Sequence, residues 1–474
     1  MQGRKRADYS QAVQGNMFDD SKLRANHTCG HWRGNYLMCA AAATGFALAI
    51  LLAPAQVGAE SQRWWESKRE LSLQERRARR QQFSDAMTAR LGPQYQTNIP
   101  FVSQQSIDGL SQAIAYYRRI IATGGWRQFP DGMTIRPNDR GNQVVELRRH
   151  LTLTGDLQTQ SQPRRRRARS YDAGLQEAVG RFQMRHGLRV TGYVDSQTRR
   201  ALNVPAQERL RQLETNLIRV RDLMKVNSAS RYVLVNVPAY TLQAVQGGTL
   251  GLQSKVVVGK PGRETPNVSA KIKELNFFPF WRVPDSIAHK DLIPQMRRDP
   301  SYFVKENFSV LPGWGAKPVP LNQVDWSSPK AYKYKFRQDP GHNNALGVVR
   351  INMPNKHIVY LHDTPLKQLF NQNTRAYSSG CVRVERVLDL AGWLLEGTKD
   401  WSPMRVNVTV GLGKSENVKL KKPVPVHFVY VTAWSNGNGV VHFRPDIYNQ
   451  DGAAALRVAE AEDAPVAGSA AITP

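Results

Sequence analysis

The sequence predicts a multidomain α+β protein, with a helical amino-terminal half and a mostly-β carboxy-terminal half. Three observations carry this. The chain of 474 residues exceeds what one ordinary core organises. Between residues 107 and 225 apolar side chains recur at helical spacing. From Tyr232 onward they gather instead in short runs bounded by Pro and Gly. Composition removes other classes. A hydrophobic content of 41% with 22% charged residues excludes a polytopic membrane protein and a wholly disordered chain. Three cysteines exclude a disulfide scaffold and a four-cysteine zinc site. The net charge of +28 calls for an anionic partner, whether nucleic acid, a lipid surface or an acidic polymer, and composition does not choose among them.

The first segment, 1–59, reads as a basic n-region followed by a signal peptide or signal anchor. Residues 1–35 carry six Lys and Arg against three Asp, and an apolar stretch runs over 36–55. Val57 and Ala59 suit cleavage after Ala59. The run also approaches the roughly 20 residues that span a bilayer, so a membrane anchor through 36–55 stays open. A start at Met17 would shorten the long leading segment. Either way the rest of the chain is expected outside the cytoplasm, in the periplasm or cell envelope. Cys29 and Cys39 then fall in or before the targeting segment, and a cleaved chain keeps Cys381 alone. A lone thiol in an oxidising compartment is either buried and inert or present for its chemistry.

Residues 60–134 read as a helical scaffold. The charged stretch 60–90 is expected as an exposed helix whose Arg76, Arg77, Arg79 and Arg80 form a solvated face. A second helix over Ile107–Ala122 turns Ile107, Leu110, Ala113, Ile114, Tyr117 and Ile121 to one side, and Gly124-Gly125-Trp126 ends it. The segment 135–205 is compact, with helices expected over Gln143–Leu153, Ala173–His186 and Ser196–Leu202 and an arginine-rich loop, 163–169, between the first two. Its ordered pattern of Gly141, Val144, Leu147 and Leu151, then Tyr171-Asp172, Ala178-Val179, Phe182-Gln183, Gly187-Leu188, Gly192, Thr198 and Ala201-Leu202 resembles the peptidoglycan-binding repeat, a small three-helix module. A linker helix, within 206–230, covers Ala206–Lys225 with Leu210, Leu213, Leu217, Val220 and Met224 on one face.

The domain 231–450 is read as mostly β. Strands are expected at Tyr232–Val237, Tyr240–Val245, Leu252–Val258, Gly347–Ile351, His357–His362, Arg405–Val410 and Phe428–Thr432, with a hairpin turning at Asn436-Gly437-Asn438-Gly439. A polar, Pro-bearing insertion spans 284–335, helical at Asp291–Arg298, and the Ala-rich residues 451–474 form a tail.

The chemistry is concentrated in His357–Glu385. The strand His357–His362 delivers a histidine at its end, and nineteen residues later Cys381 follows Ser378-Ser379-Gly380. A cysteine nucleophile needs a base, and a glycine turn lets neighbouring amides converge on an oxyanion. On a strand His357 and His362 face opposite sides, which favours His362 as the partner. From the residues alone this is a Cys–His hydrolase or transferase centre. The stretch also resembles the L,D-transpeptidase motif, a histidine followed at fixed distance by Ser/Thr-x-Gly-Cys. It departs from the commoner form at Ser379, where His is usual, and at Arg383, where Asn is usual. The large multidomain members are the better likeness, through Val235-Asn236-Val237-Pro238, Val258-Gly259-Lys260-Pro261 and Trp281-Arg282-Val283-Pro284.

The resemblance implies an exported enzyme of cell-wall biogenesis that forms 3→3 cross-links between peptidoglycan stem peptides. Cys381 is the implied nucleophile and His362 the implied base. Ser379 and Gly380 belong to the oxyanion turn, and Arg383, Asp363, Ser378 and Tyr360 support substrate or structure. Arg383 would pair with a carboxylate of substrate or of a neighbouring strand, and Asp363 or a main-chain carbonyl would orient His362. The insertion would act as a lid. No metal or cofactor is implied, and the oligomeric state is not set. Carboxypeptidase trimming, D-amino-acid exchange and attachment of a wall protein use the same thioester and remain alternatives. A non-catalytic wall-binding protein would not need Cys381 or His362. Nucleic-acid binding lacks any helix-turn-helix, zinc-finger or RNP pattern, and export removes the usual partner. Gly411-Leu412-Gly413-Lys414-Ser415 ends like a phosphate loop, but the first glycine of that motif would fall at Val408.

Overall fold

The computed structural model describes residues 72–158, 168–226, 229–437 and 439–452. The expected targeting segment with Cys29 and Cys39, the start of the scaffold, most of the arginine-rich loop and the tail beyond residue 452 lie outside the described residues.

Helix α1, Leu73–Leu91, begins with Ser72 and Glu75 in a reciprocal capping box. Arg79 and Arg80 are exposed, as expected, but Ser84, Met87 and Leu91 are buried. Gly180 makes room for them: a β-carbon there would come within 2.8 Å of Met87 Sδ. Helix α2, Gln104–Ala122, buries Ile107, Leu110, Ala113, Ile114, Tyr117 and Ile120. Ile121, which the apolar spacing put on this face, is only half-buried, and its neighbour Ile120 takes the place.

Helices α3, Asn142–Leu153, α4, Ala173–Arg185, and α5, Ser196–Leu202, form the small helical module. Asp172 and Asp195 cap the second and third. Gln183 is a buried hub whose Nε2 donates to Thr191, Tyr193 and Thr198 while its Oε1 accepts from the amides of Thr191 and Gly192. Polar motif residues thus shape the module's interior. Helix α6, Ala206–Val226, buries Leu213 and Val220 and leaves Met224 exposed. It buries a second, polar face that apolar spacing does not reveal. Arg219 pairs with Asp451 at 2.7 Å, Asn216 bonds Thr432, and Gln212 reaches the carbonyl of Arg444.

The β half contains β1 (Arg231–Asn236), β2 (Thr241–Gln246), β3 (Thr249–Gly259), β4 (Val268–Phe277), β8 (Val349–Asn352), β9 (Leu361–His362), β10 (Ala376–Ser378), β11 (Val382–Val384) and β12 (Glu416–Val429). They form one sheet in the order β10-β3-β11-β9-β8-β4-β12-β1-β2, and β3 also pairs with β2, so the run of pairings returns on itself. One side encloses a core of Val, Leu, Ile and Phe joined by helix α7, Val387–Leu395. Another face packs on α2 and α6. A separate three-stranded sheet, β5 (Trp281–Arg282), β6 (Phe308–Leu311) and β7 (Lys335–Gln338), extends the insertion beyond 284–335 at both ends, because β5 pairs with β7, and has its own cluster around Phe303, Phe336 and Met296. The hairpin of β13, Ala433–Ser435, and β14, Val441–Phe443, is where the sequence places it.

Two expectations on elements fail. Arg405–Val410 is not a strand but part of helix α8, Pro403–Leu412. Ser402 accepts from the Arg405 amide, Pro403 opens the first turn and Gly413 at φ 66° closes the last, so end signals outweigh the β preference of Val406, Val408, Thr409 and Val410. The same Gly413 and a bond from Ser415 to the Phe278 carbonyl give the Gly-Lys-Ser stretch a structural task. His357–His362 is strand only at its last two residues. Asn355 binds the main chain of Met353, His357 and Val359 in a turn, and Ile358 sits at φ 54°. Strands β4 and most of β12, the longest ladder in the sheet, are absent from the sequence reading.

Candidate active site

Strands β9 and β11 run parallel, with Val382 beside Leu361 and Arg383 beside His362. Leu361 and Val382 enter the core, so His362 and Arg383 share the opposite face. The Val382 amide donates to the Tyr360 carbonyl at 3.0 Å, setting Cys381 alongside Tyr360. On the other side β8 pairs Arg350 with His362, and the Arg350 guanidinium lies over the Tyr360 ring. The rings of Tyr360 and His362 meet edge to face at 5.7 Å. The sheet thus gathers Cys381, Tyr360, His362, Arg383 and Arg350.

The turn before Cys381 is held from several sides. Gly380 has φ 118°, a left-handed conformation that disfavours a side chain. Its amide donates to Ser378 Oγ at 3.2 Å, while Ser378 Oγ donates to the Cys381 carbonyl at 2.5 Å. Thr265 Oγ1 donates to the Gly380 carbonyl at 2.8 Å. Ser378 is buried and Ser379 exposed. Arg263 donates to Ser379 Oγ at 3.0 Å and also pairs with Asp291 of the insertion. Trp281 also neighbours Tyr360.

Burial dominates the electrostatics. It pushes the Cys381 thiol up to about 11, against smaller opposing effects of the Tyr360 hydrogen bond and the Arg383 and Arg350 charges. The residue as a whole is half-buried while its thiol is enclosed. Burial, with repulsion from Arg383 and Arg350, holds the His362 ring down at about 3, so it is neutral at pH 7. Burial also lowers the pKa of Arg383, opposed by Cys381. The resting pair is therefore a neutral thiol and a neutral imidazole.

His362 is on the site face and His357 is in an exposed turn, though through the turn and not through strand alternation. Tyr360, Arg383 and Arg350 favour the Cys381 thiolate against burial, and His362 is not among the groups that shift it. The Asp363 carboxylate turns away from the imidazole, accepting from the Val348 amide at 3.0 Å and pairing with Lys367. Strand alternation requires this, since Asp363 follows His362. The nearby main chain of Asp363 favours a protonated ring, yet His362 Nδ1 completes no hydrogen bond among the described residues. Arg383 forms no carboxylate pair among the described residues, and its buried Nε has no partner. Arg350, Arg263 and Thr265 were not found from the sequence. Arg350 lies on a recognised strand and was findable by its register; the other two depend on tertiary contacts. Among the described residues no three of His, Cys, Asp and Glu gather as a metal-holding group.

This geometry sits within a recognisable family pattern. Residues 230–410 match the YkuD model, described as "L,D-transpeptidase catalytic domain", and residues 140–202 match one described as "Putative peptidoglycan binding domain". The chain therefore joins a YkuD-type L,D-transpeptidase catalytic domain to a peptidoglycan-binding domain. A curated "Putative L,D-transpeptidase" of Haemophilus influenzae is 39% identical over 220 residues, covering 46% of this chain and 44% of that relative. Similar solved structures include an L,D-transpeptidase of Stackebrandtia nassauensis, 15% identical over 62% of this chain and 94% of that one, with a TM-score of 0.24. Another, from Mycobacterium smegmatis, is 14% identical over 42% of this chain and 59% of that one, with a TM-score of 0.20.

Proposed function

We propose that the chain is an exported L,D-transpeptidase that forms 3→3 cross-links between peptidoglycan stem peptides through a thioester on Cys381. The observation that carries the reading is the placement of Cys381 after the Gly380 turn, one strand away from His362, within the matched catalytic domain. In the first step Cys381 Sγ bonds to the carbonyl carbon at the L-centre of the third stem residue. The thiol proton passes to His362 and then to the leaving amine as the amide C–N bond breaks and D-Ala departs. In the second step the side-chain amine of a neighbouring stem attacks the thioester. Its proton passes through His362 to the departing sulfur, regenerating the thiol.

The neutral resting pair suits this cycle. Proton transfer creates a thiolate and an imidazolium that stabilise each other only as reaction begins, while Arg383 and Arg350 add positive field beside the sulfur. Because the Gly380 amide is engaged by Ser378, the oxyanion is assigned to the amides of Cys381 and Ser379, with Gly380 as the residue that permits the turn. Arg383, without a carboxylate among the described residues, is assigned to a substrate carboxylate. Asp363 supports the β8–β9 junction rather than His362. The insertion is read as a lid, tethered through Asp291 to Arg263, which also holds Ser379. Action on the wall places the protein outside the cytoplasm. Among the described residues no helix is long and apolar enough to cross a membrane, and the stretch 36–55 lies outside them.

The test is product analysis on purified disaccharide tetrapeptides. Wild type is expected to yield 3→3 dimers, and Cys381→Ala none while keeping its fold. Dimer formation at the wild-type rate by the variant would overturn the reading. Trimmed tripeptide, exchanged D-amino acid or a coupled protein lysine in place of dimer would assign the same thioester to another acceptor.

A further inference from the structure

Between the helical module, helix α1 and the β10 edge of the catalytic sheet lies a cavity of about 1150 Å³. It is larger than the roughly 300–1000 Å³ of an ordinary small-ligand site. Its described lining carries six cations, Arg189, Arg200, Arg209, Lys255, Arg375 and Arg444, against one carboxylate, Asp85.

None of these five arginines has an ion-pair partner among the described residues, whereas Lys255 pairs with Glu385. Arg375 donates only to the main-chain carbonyls of Val256, Gln372 and Tyr240, and its guanidinium stacks on the Tyr240 ring. Arg444 donates to the carbonyls of Arg185 and Phe443. Arg209 bonds the Gln212 side chain and the Ala201 carbonyl. Each guanidinium has five N–H donors, so each keeps donors unspent. Arg444 lies under Gly187 of the module, where a β-carbon would come within 2.6 Å of its Nε. Burial and repulsion from Arg375 both disfavour its charge, lowering its pKa to about 9. Glu385 influences Arg375 but is paired with Lys255. Unmatched positive charge in an enclosed space is costly unless an anion enters it.

We propose that this seam binds a carboxylate-bearing stretch of a peptidoglycan strand, held at once by the helical module and by the chain that leads through β10 to Cys381. Arg375 stands immediately before β10, six residues ahead of Cys381. A strand seated there would be gripped by the module and led toward the catalytic turn. The proposal rests on reading the chain as acting on peptidoglycan, and it adds a binding surface that the module alone does not possess.

The test measures affinity of the full chain for a soluble peptidoglycan dimer of two disaccharide tetrapeptides, by calorimetry at low and moderate salt. Arg189 and Arg200 are exposed, so an R189E/R200E double variant keeps the fold while reversing the rim charge; Arg375→Gln probes the interior. Each is expected to weaken binding at least about tenfold, to flatten the salt dependence and to leave the melting temperature of the rim variant unchanged. Dimer with amidated stem carboxylates is expected to bind wild type as weakly as native dimer binds the variants. Equal affinity of wild type and both variants for native dimer would overturn the proposal, as would displacement of bound dimer by polyphosphate or DNA at lower concentration. Turnover of monomeric tetrapeptide, measured in parallel, separates the two readings: its loss in wild type speaks against the reaction, not the seam.

Discussion

The protonation state of Cys381 sets how the reaction must start, and alkylation reads it directly. Burial holds the thiol at about 11 against an ordinary 9. At pH 7 that leaves about one thiol in ten thousand ionised, some hundredfold fewer than for an ordinary cysteine. Iodoacetamide labelling of Cys381, followed by peptide mass mapping, is therefore expected to accelerate about tenfold per pH unit from 7 to 10, without a plateau. Tyr360→Phe and Arg383→Gln each remove a group that favours the thiolate, so the midpoint moves further up. His362→Gln leaves the labelling profile of the free protein unchanged, because His362 does not shift the resting thiol. A labelling rate that is flat between pH 7 and 9, and that becomes steep in His362→Gln, would mean a preformed thiolate–imidazolium pair and would refute the neutral resting state.

Other substitutions probe the frame around the site. Asp451→Asn strands the buried Arg219 charge and is expected to cost about 3–5 kcal/mol in urea unfolding. Gly380→Ala forces a side chain into a left-handed conformation with the Glu264 carbonyl 3.4 Å away; a stability loss of about 1–2 kcal/mol with a much larger loss of turnover is expected. Arg263→Ala breaks a partly exposed tether whose worth to stability is about 1 kcal/mol or less. Thermal melting of that variant should barely move while kcat/KM on tetrapeptide falls; unchanged turnover would remove Arg263 from the site.

What the sequence disclosed follows its physics. The three module helices were legible because caps and apolar spacing agree there, at Asp172 and Asp195 with Leu175, Val179 and Phe182. The turn before Cys381 was legible because Gly380 and its serines are local signals. Helix α8 was misread since Val406, Val408 and Val410 carry β preference while the decisive information lay at its ends, in Ser402 and Gly413. The missed β4 alternates Lys271 and Lys273 outward with Ile272 inward, which a search for apolar runs passes over. Arg263, Thr265 and the seam arginines Arg375 and Arg444 owe their roles to neighbours more than a hundred residues away or to a seam between domains, where spacing carries no signal. Deleting residues 136–205 to test wall binding would also expose the surface on which His186 stacks against Phe443, so single substitutions in the seam are the cleaner probe.

The central claim is the acyl transfer through Cys381. Intact mass measured after brief incubation with a disaccharide tetrapeptide tests it most directly. A tripeptide-bearing adduct on Cys381 is expected, with one free D-Ala released per adduct, and no adduct on Cys381→Ala. Release of D-Ala with no change in protein mass at any time, or an adduct that persists in the variant, would contradict it.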